Sequence, residues 1–132
     1  MIDYEAEYNN RARVPEHPAI FARWQRAADN FRARHANAEL RLPYGRGERE
    51  HVDLFWPAAG REAPIVLFIH GGYWRSLSPA MFSHVAAGAN ARGLAMALAG
   101  YDFCPQVTLG RIIEEVRDAA IFLGRQIGRA HV

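Results

Sequence analysis

His70-Gly71-Gly72, followed by Tyr73 and Trp74, is the stretch of this sequence best suited to acyl chemistry. When a nucleophile adds to a carbonyl, negative charge develops on the oxygen, and backbone N–H groups fixed in a dry site stabilise it by about 3 to 4 kcal/mol per donor. Paired glycines permit positive φ and bring main-chain N–H groups close to a ligand, where a Cβ would obstruct them. Such a turn can hold an oxyanion. Tyr73 and Trp74 have two readings: they line an aromatic pocket, or they pack the turn on the core.

The nucleophile that such a turn would serve is missing from the sequence. Ser76, Ser78 and Ser83 all follow the glycines, and none lies between two glycines as in Gly-x-Ser-x-Gly. Neither His-Glu-x-x-His nor paired cysteines occur, so neither a metal nor a cofactor is expected. Gly71-Gly72 also lacks the Gly-x-Gly-x-x-Gly spacing that seats a pyrophosphate. Cys104 is expected to be an inert buried thiol and His84 a surface residue.

The elements that must position this turn follow from periodicity. Ile65 to Ile69, five consecutive apolar residues rich in β-branched and aromatic types, predict a strand buried on both faces. His51 to Trp56, ending at Pro57, predicts a second strand, and Leu94 to Ala99 another buried one. Between them, Ser78-Pro79 has the chemistry of a helix start, Met81, Phe82, Val85, Ala86 and Ala89 share a face, and Gly93 is a stop. Thr108 caps a last helix, with Leu109, Ile112, Ile113, Val116, Ala120 and Leu123 as its apolar stripe and Arg111, Glu114, Glu115, Arg117 and Asp118 facing water. Strand, helix, strand, helix calls for a mostly parallel sheet with helices on both faces.

Upstream, residues 1–16 predict an irregular arm. Residues 17–36 predict an amphipathic helix with Ile20, Phe21, Trp24, Ala28 and Phe31 on one face, serving to cap the core or to roof a substrate pocket. Pro43-Tyr44-Gly45-Arg46-Gly47 is a turn, and residues 51–126 form the sheet-and-helix core.

His70 to Trp74 after a buried strand, with Tyr8-Asn9-Asn10-Arg11 upstream and Tyr101-Asp102-Phe103-Cys104-Pro105 downstream, resembles the α/β-hydrolase superfamily, in its arylformamidase and esterase branch. The resemblance implies an α/β fold of which this chain is the N-terminal, incomplete part, since such domains need about 200 to 250 residues. It implies that Gly72 and Tyr73 supply the oxyanion-hole N–H groups, that His70 braces the loop and that Gly71 is needed for the turn. A serine, an acid and a histidine would all lie downstream of this sequence. The substrate implied is N-formylkynurenine or a related aryl formamide or ester, with Tyr73 and Trp74 beside its ring. The alternative is a non-catalytic module that binds an aromatic ligand or a partner.

The 132 residues are half apolar and carry 16 basic and 14 acidic side chains, a formal charge of +2. The arginines are dispersed among acids and apolar positions, so no nucleic-acid footprint is expected. One cysteine, an acidic N-terminus and no apolar run near the ~18 residues of a membrane span lead us to expect a cytoplasmic protein. Residues 127–132, Ile-Gly-Arg-Ala-His-Val, match what a sequencing-library adapter encodes in one frame. We therefore expect the native sequence to diverge near Gln126, and His131 is not recruited as a catalytic histidine.

Overall fold

The computed structural model describes residues 1–129. Its elements are α1 (Tyr4–Tyr8), α2 (Asn10–Arg13), α3 (His17–Arg34), β1 (Ala38–Pro43), β2 (His51–Phe55), β3 (Ile65–Ile69), a 3₁₀ helix (Pro79–Val85) running into α4 (Ala86–Asn90), β4 (Ala95–Ala99) and α5 (Leu109–Arg129). The sheet has the order β1-β2-β4-β3. The strand-helix-strand unit makes the parallel pair β3/β4, with Leu67 opposite Ala97. The two preceding strands run antiparallel, which leaves the sheet mixed.

Both faces are covered. On one, Phe55, Met96 and Leu98 meet Phe82 and Ala86, with Trp24 and Phe31 of α3 packed outside them. On the other, Val52, Leu54, Ala95, Ala97 and Ala99 meet Ala119 and Leu123 of α5. The small side chains of β4 let α5 sit close to the sheet, and all five β4 residues are buried.

Several elements differ from expectation for identifiable reasons. The N-terminal arm is not irregular: Asp3 and Asn9 side chains accept from Ala6 and Ala12 N–H groups and cap two short helices. β1 was not marked by its sequence, because Glu39 and Arg41 interrupt its apolar pattern. Arg41 has φ 54 at an irregularity in the ladder, and its N–H donates to the buried Asp53 carboxylate at 2.8 Å. β3 is not buried on both faces, for it lies at the sheet edge with Val66 and Ile69 each 40% exposed. Ser78 makes no side-chain cap, and the segment it opens is 3₁₀ before it becomes α-helical. Gly93, at φ +76, and Thr108, whose Oγ1 accepts from Arg111 N–H at 3.2 Å, do the terminating and capping expected of them.

α5 is rotated relative to its expected face. Ile112, Glu115, Ala119 and Leu123 point inward, while Leu109 and Ile113 are exposed. Glu115 is fully buried and does not face water. His84 is half-buried and its Nδ1 has no hydrogen-bond partner; Cys104 is likewise half-buried. The helix continues through Ile127 to Arg129, and Ala130, His131 and Val132 lie outside the described residues. Among the described residues no helix is long and apolar enough to cross a membrane.

Candidate functional site

β3 delivers His70 to the end of the sheet, where the chain must turn. The His70 ring is 2% exposed and stacks between Tyr101, 4.5 Å between centroids, and Phe82, at 5.8 Å. Its Nδ1 lies 2.8 Å from the Gly71 carbonyl; a carbonyl only accepts, so Nδ1 carries the proton. Burial holds the His70 pKa below its usual value, which keeps the ring neutral. The buried Tyr101 hydroxyl, its pKa raised by burial to about 12, donates to the His70 carbonyl at 2.7 Å. Both groups brace the start of the turn.

From Gly72 to Leu77 the main chain is left-handed at four of six positions. Gly72 has φ +119, Tyr73 53, Trp74 59 and Leu77 76. Three of these residues carry a Cβ, and such conformations persist only where the surroundings enforce them. A Cβ on Gly72 would stand 2.4 Å from the Ser76 carbonyl oxygen, so glycine is required there twice over. Gly71 is different from what its motif implies: its φ is not left-handed, and a Cβ would meet nothing within 4 Å. The turn depends on Gly72.

The hydrogen bonds of the turn are one-sided. The Gly72 carbonyl accepts from Arg75 N–H at 3.0 Å and from Ser76 Oγ at 3.2 Å. The Trp74 carbonyl accepts from Cys104 N–H at 2.8 Å. Among the described residues, the N–H groups of Gly71, Gly72, Tyr73 and Trp74 have no protein acceptor. Donors without acceptors in a fixed turn are what an incoming anion or oxyanion needs.

Two cavities meet at this turn. One, of about 410 Å³, is largely apolar and lies between Val14, Ile20, Phe21, Trp24 and the turn, with Leu77 and Phe82 on its far side. The other, of about 700 Å³, is more polar and lies between α1, α2 and the turn. Asn10, Arg11 and Gly72 belong to both. The Tyr73 hydroxyl donates to the Tyr8 carbonyl at 3.0 Å, and Arg11 Nη2 donates to Ser76 Oγ at 3.3 Å. The Tyr8 to Arg11 segment, distant in sequence, is thus brought onto the glycine turn. Trp24 and Phe31 of α3 pack on the core, as the capping role expected of this helix requires, and Ile20, Phe21 and Trp24 also wall the apolar cavity. Tyr73 borders the polar cavity, but Trp74 lines neither and instead leans on Tyr101 at 5.4 Å. Of its two readings, packing is the one its contacts match.

The sequence did not disclose the polar cluster that supports this end of the sheet. Arg111 reaches Glu115 Oε1 at 3.1 Å and Glu50 Oε1 at 2.8 Å, and Glu115 Oε2 accepts from Asp102 N–H at 2.8 Å. Glu50 also accepts from Gly47 N–H, and the Tyr44 hydroxyl donates to the Gly100 carbonyl at 2.7 Å. Burial raises the pKa of Glu115. One signal was available: Arg111 and Glu115 are four residues apart, a spacing that lets them pair on a helix. Among the described residues, no group of three or more His, Cys, Asp or Glu could hold a metal ion.

No protein-family model matches the chain. Among characterised proteins, it is similar to kynurenine formamidase of Salmo salar, 30% identical over 92 residues, which is 69% of this chain and 31% of that protein. It is also similar to kynurenine formamidase of Drosophila melanogaster, 36% identical over 75 residues, 56% of this chain and 25% of that protein. Among solved structures, a Silicibacter protein provisionally described as a thioesterase superposes with TM-score 0.89 at 32% identity, over 96% of this chain and 48% of that one. Esterase B of Lactobacillus rhamnosis superposes with TM-score 0.59 at 20% identity, over 85% of this chain and 38% of that one. The chain spans under a third of the curated relatives' length and about half of the Silicibacter protein's. Its fold is that of an α/β-hydrolase of esterase-like form, represented here by four strands and the helices that flank them.

Proposed function

We propose that this chain is the oxyanion-binding part of a serine hydrolase of the arylformamidase and esterase type, acting on N-formylkynurenine or a related aryl formamide or ester. The observation that carries the reading is the set of unpaired N–H groups at Gly72 and Tyr73, at the end of β3 and beside an apolar cavity. In this reading the substrate carbonyl oxygen points at those two donors and the aryl group occupies the space walled by Phe21, Trp24 and Phe82. A serine from sequence beyond this chain adds to the carbonyl, and the amine or alcohol leaves from an acyl-enzyme. Similarity to two kynurenine formamidases supports the formamidase form of the reading. His70 acts as a brace and not as the base, because its proton-bearing Nδ1 is engaged and its ring is buried.

The test is to sequence the source locus across Gln126 and several hundred bases beyond, then express what it encodes. We expect the frame to continue into a buried strand and Gly-x-Ser-x-Gly, and the protein to hydrolyse N-formylkynurenine faster than a longer-chain aryl ester. A stop directly after Val132 would contradict the hydrolase reading, and preference for the longer ester would contradict the formamidase form of it.

A further inference from the structure

The mouth of the polar cavity carries two cations to which the hydrolase reading assigns no role. Two cations, Arg11 and Arg75, line it against one carboxylate, Glu5, whose Oε1 is taken by Asn9 Nδ2. Among the described residues neither arginine has a carboxylate partner. Arg11 spends one nitrogen on Ser76 Oγ and lies 5.9 Å from the centre of the Phe21 ring, which leaves the remaining guanidinium donors for a ligand. It stands where the apolar and polar cavities join, beside Gly72. A molecule with its ring in the apolar cavity and its carbonyl at Gly72 has this arginine beside it, where the two cavities share their lining.

We propose that Arg11, with Arg75 beside it, recognises an anionic group on the ligand, so that the site selects aryl compounds bearing a carboxylate over neutral ones of the same size. The inference rests on the proposed hydrolase reading for the placement of the ring and carbonyl, but its charge preference can be measured without turnover. A guanidinium is suited to this, since its planar fork of donors matches a carboxylate in two parallel hydrogen bonds. Ser76 links the same guanidinium to the Gly72 carbonyl, which ties Arg11 to the turn through one hydroxyl.

The experiment uses the protein as its locus encodes it and titrates phenylacetate and phenylacetamide in parallel, with indole fluorescence as the readout because Trp24 lines the apolar cavity. Phenylacetate is expected to bind about tenfold more tightly, a difference of about 1.4 kcal/mol. Arg11→Met should abolish that preference without changing the affinity for phenylacetamide, and Arg11→Lys should restore part of it. A merely structural Arg11 would weaken both ligands together. Equal or undetectable binding of the two ligands overturns the inference, as does a preference that survives Arg11→Met combined with Arg75→Met. Hydrolysis of a neutral aryl ester by the same protein keeps the readings apart: turnover without charge preference defeats this inference alone, and charge preference without turnover defeats the hydrolase reading alone.

Discussion

Two polar regions lie at the same end of the sheet and are built on opposite plans. In the cluster of Glu50, Arg111 and Glu115, every charge has a partner, and the buried Glu115 carboxylate is shared between Arg111 and the Asp102 amide. In the glycine turn, the carbonyls of Gly71, Gly72 and Trp74 are bonded, while among the described residues the amides from Gly71 to Trp74 are not. The first arrangement fixes an element in place; the second leaves donors without an acceptor among the described residues. The Tyr101 to Pro105 segment joins them: its Asp102 N–H donates to the Glu115 carboxylate, while the Tyr101 hydroxyl and the Cys104 N–H donate to the His70 and Trp74 carbonyls of the turn. The paired region therefore holds the unpaired one open.

Breaking the paired region should cost the most stability. Glu115→Ala removes a buried acceptor from both Arg111 and the Asp102 amide. We expect a loss of about 2 to 3 kcal/mol in chemical denaturation, at the low end for buried ion pairs because Arg111 is half-exposed. A loss near zero would mean that the cluster does not anchor α5. Within the turn, Gly72→Ala forces both a left-handed φ and the collision with Ser76, and should destabilise by about 1 to 3 kcal/mol. Gly71→Ala is the matched control and should stay within about 0.5 kcal/mol in the same assay. Equal costs at the two glycines would refute the assignment of the turn to Gly72.

Smaller effects sharpen the link between the regions. Tyr101→Phe deletes the hydroxyl that donates to the His70 carbonyl while leaving the ring stack, and should cost about 1 kcal/mol. Faster amide exchange at Gly72 and Tyr73 than in the unaltered chain would mark the lost support. The smallest effect is that of pH. His70 has its pKa lowered in the folded state, so the stability it confers is present above its ordinary value of 6.5 and is lost as pH falls below it. The stability difference between the protein and His70→Gln should narrow on titration from pH 7.5 to about 5. A difference constant over that range would show that His70 does not titrate against burial.

Legibility followed physical scale. Ile65 to Ile69 and Leu94 to Ala99 announced strands because short apolar runs have few other fates, and Thr108 and Gly93 marked helix ends through local chemistry that needs no tertiary context. His70 to Trp74 was readable as a turn for the same reason. What the sequence could not reveal was which glycine the turn needs, because that depends on where Ser76 returns. Nor could it reveal that Glu115 is buried, since a carboxylate on an amphipathic helix faces water unless a partner such as Arg111 and a distant residue such as Glu50 meet it inside. The docking of Tyr8 to Arg11 on the turn is likewise a product of the assembled fold and not of local pattern.

If the Gly72 and Tyr73 amides receive a carbonyl oxygen as it becomes negative, they should register that charge when an adduct forms. The most direct test is to add a trifluoromethyl ketone with an aryl group to the protein encoded by the locus, and to follow its backbone amides by NMR as the tetrahedral adduct forms. The Gly72 and Tyr73 amide protons should shift downfield on adduct formation, while Gly71 and the amides of β4 move little. An adduct that forms and leaves Gly72 and Tyr73 unchanged would contradict it.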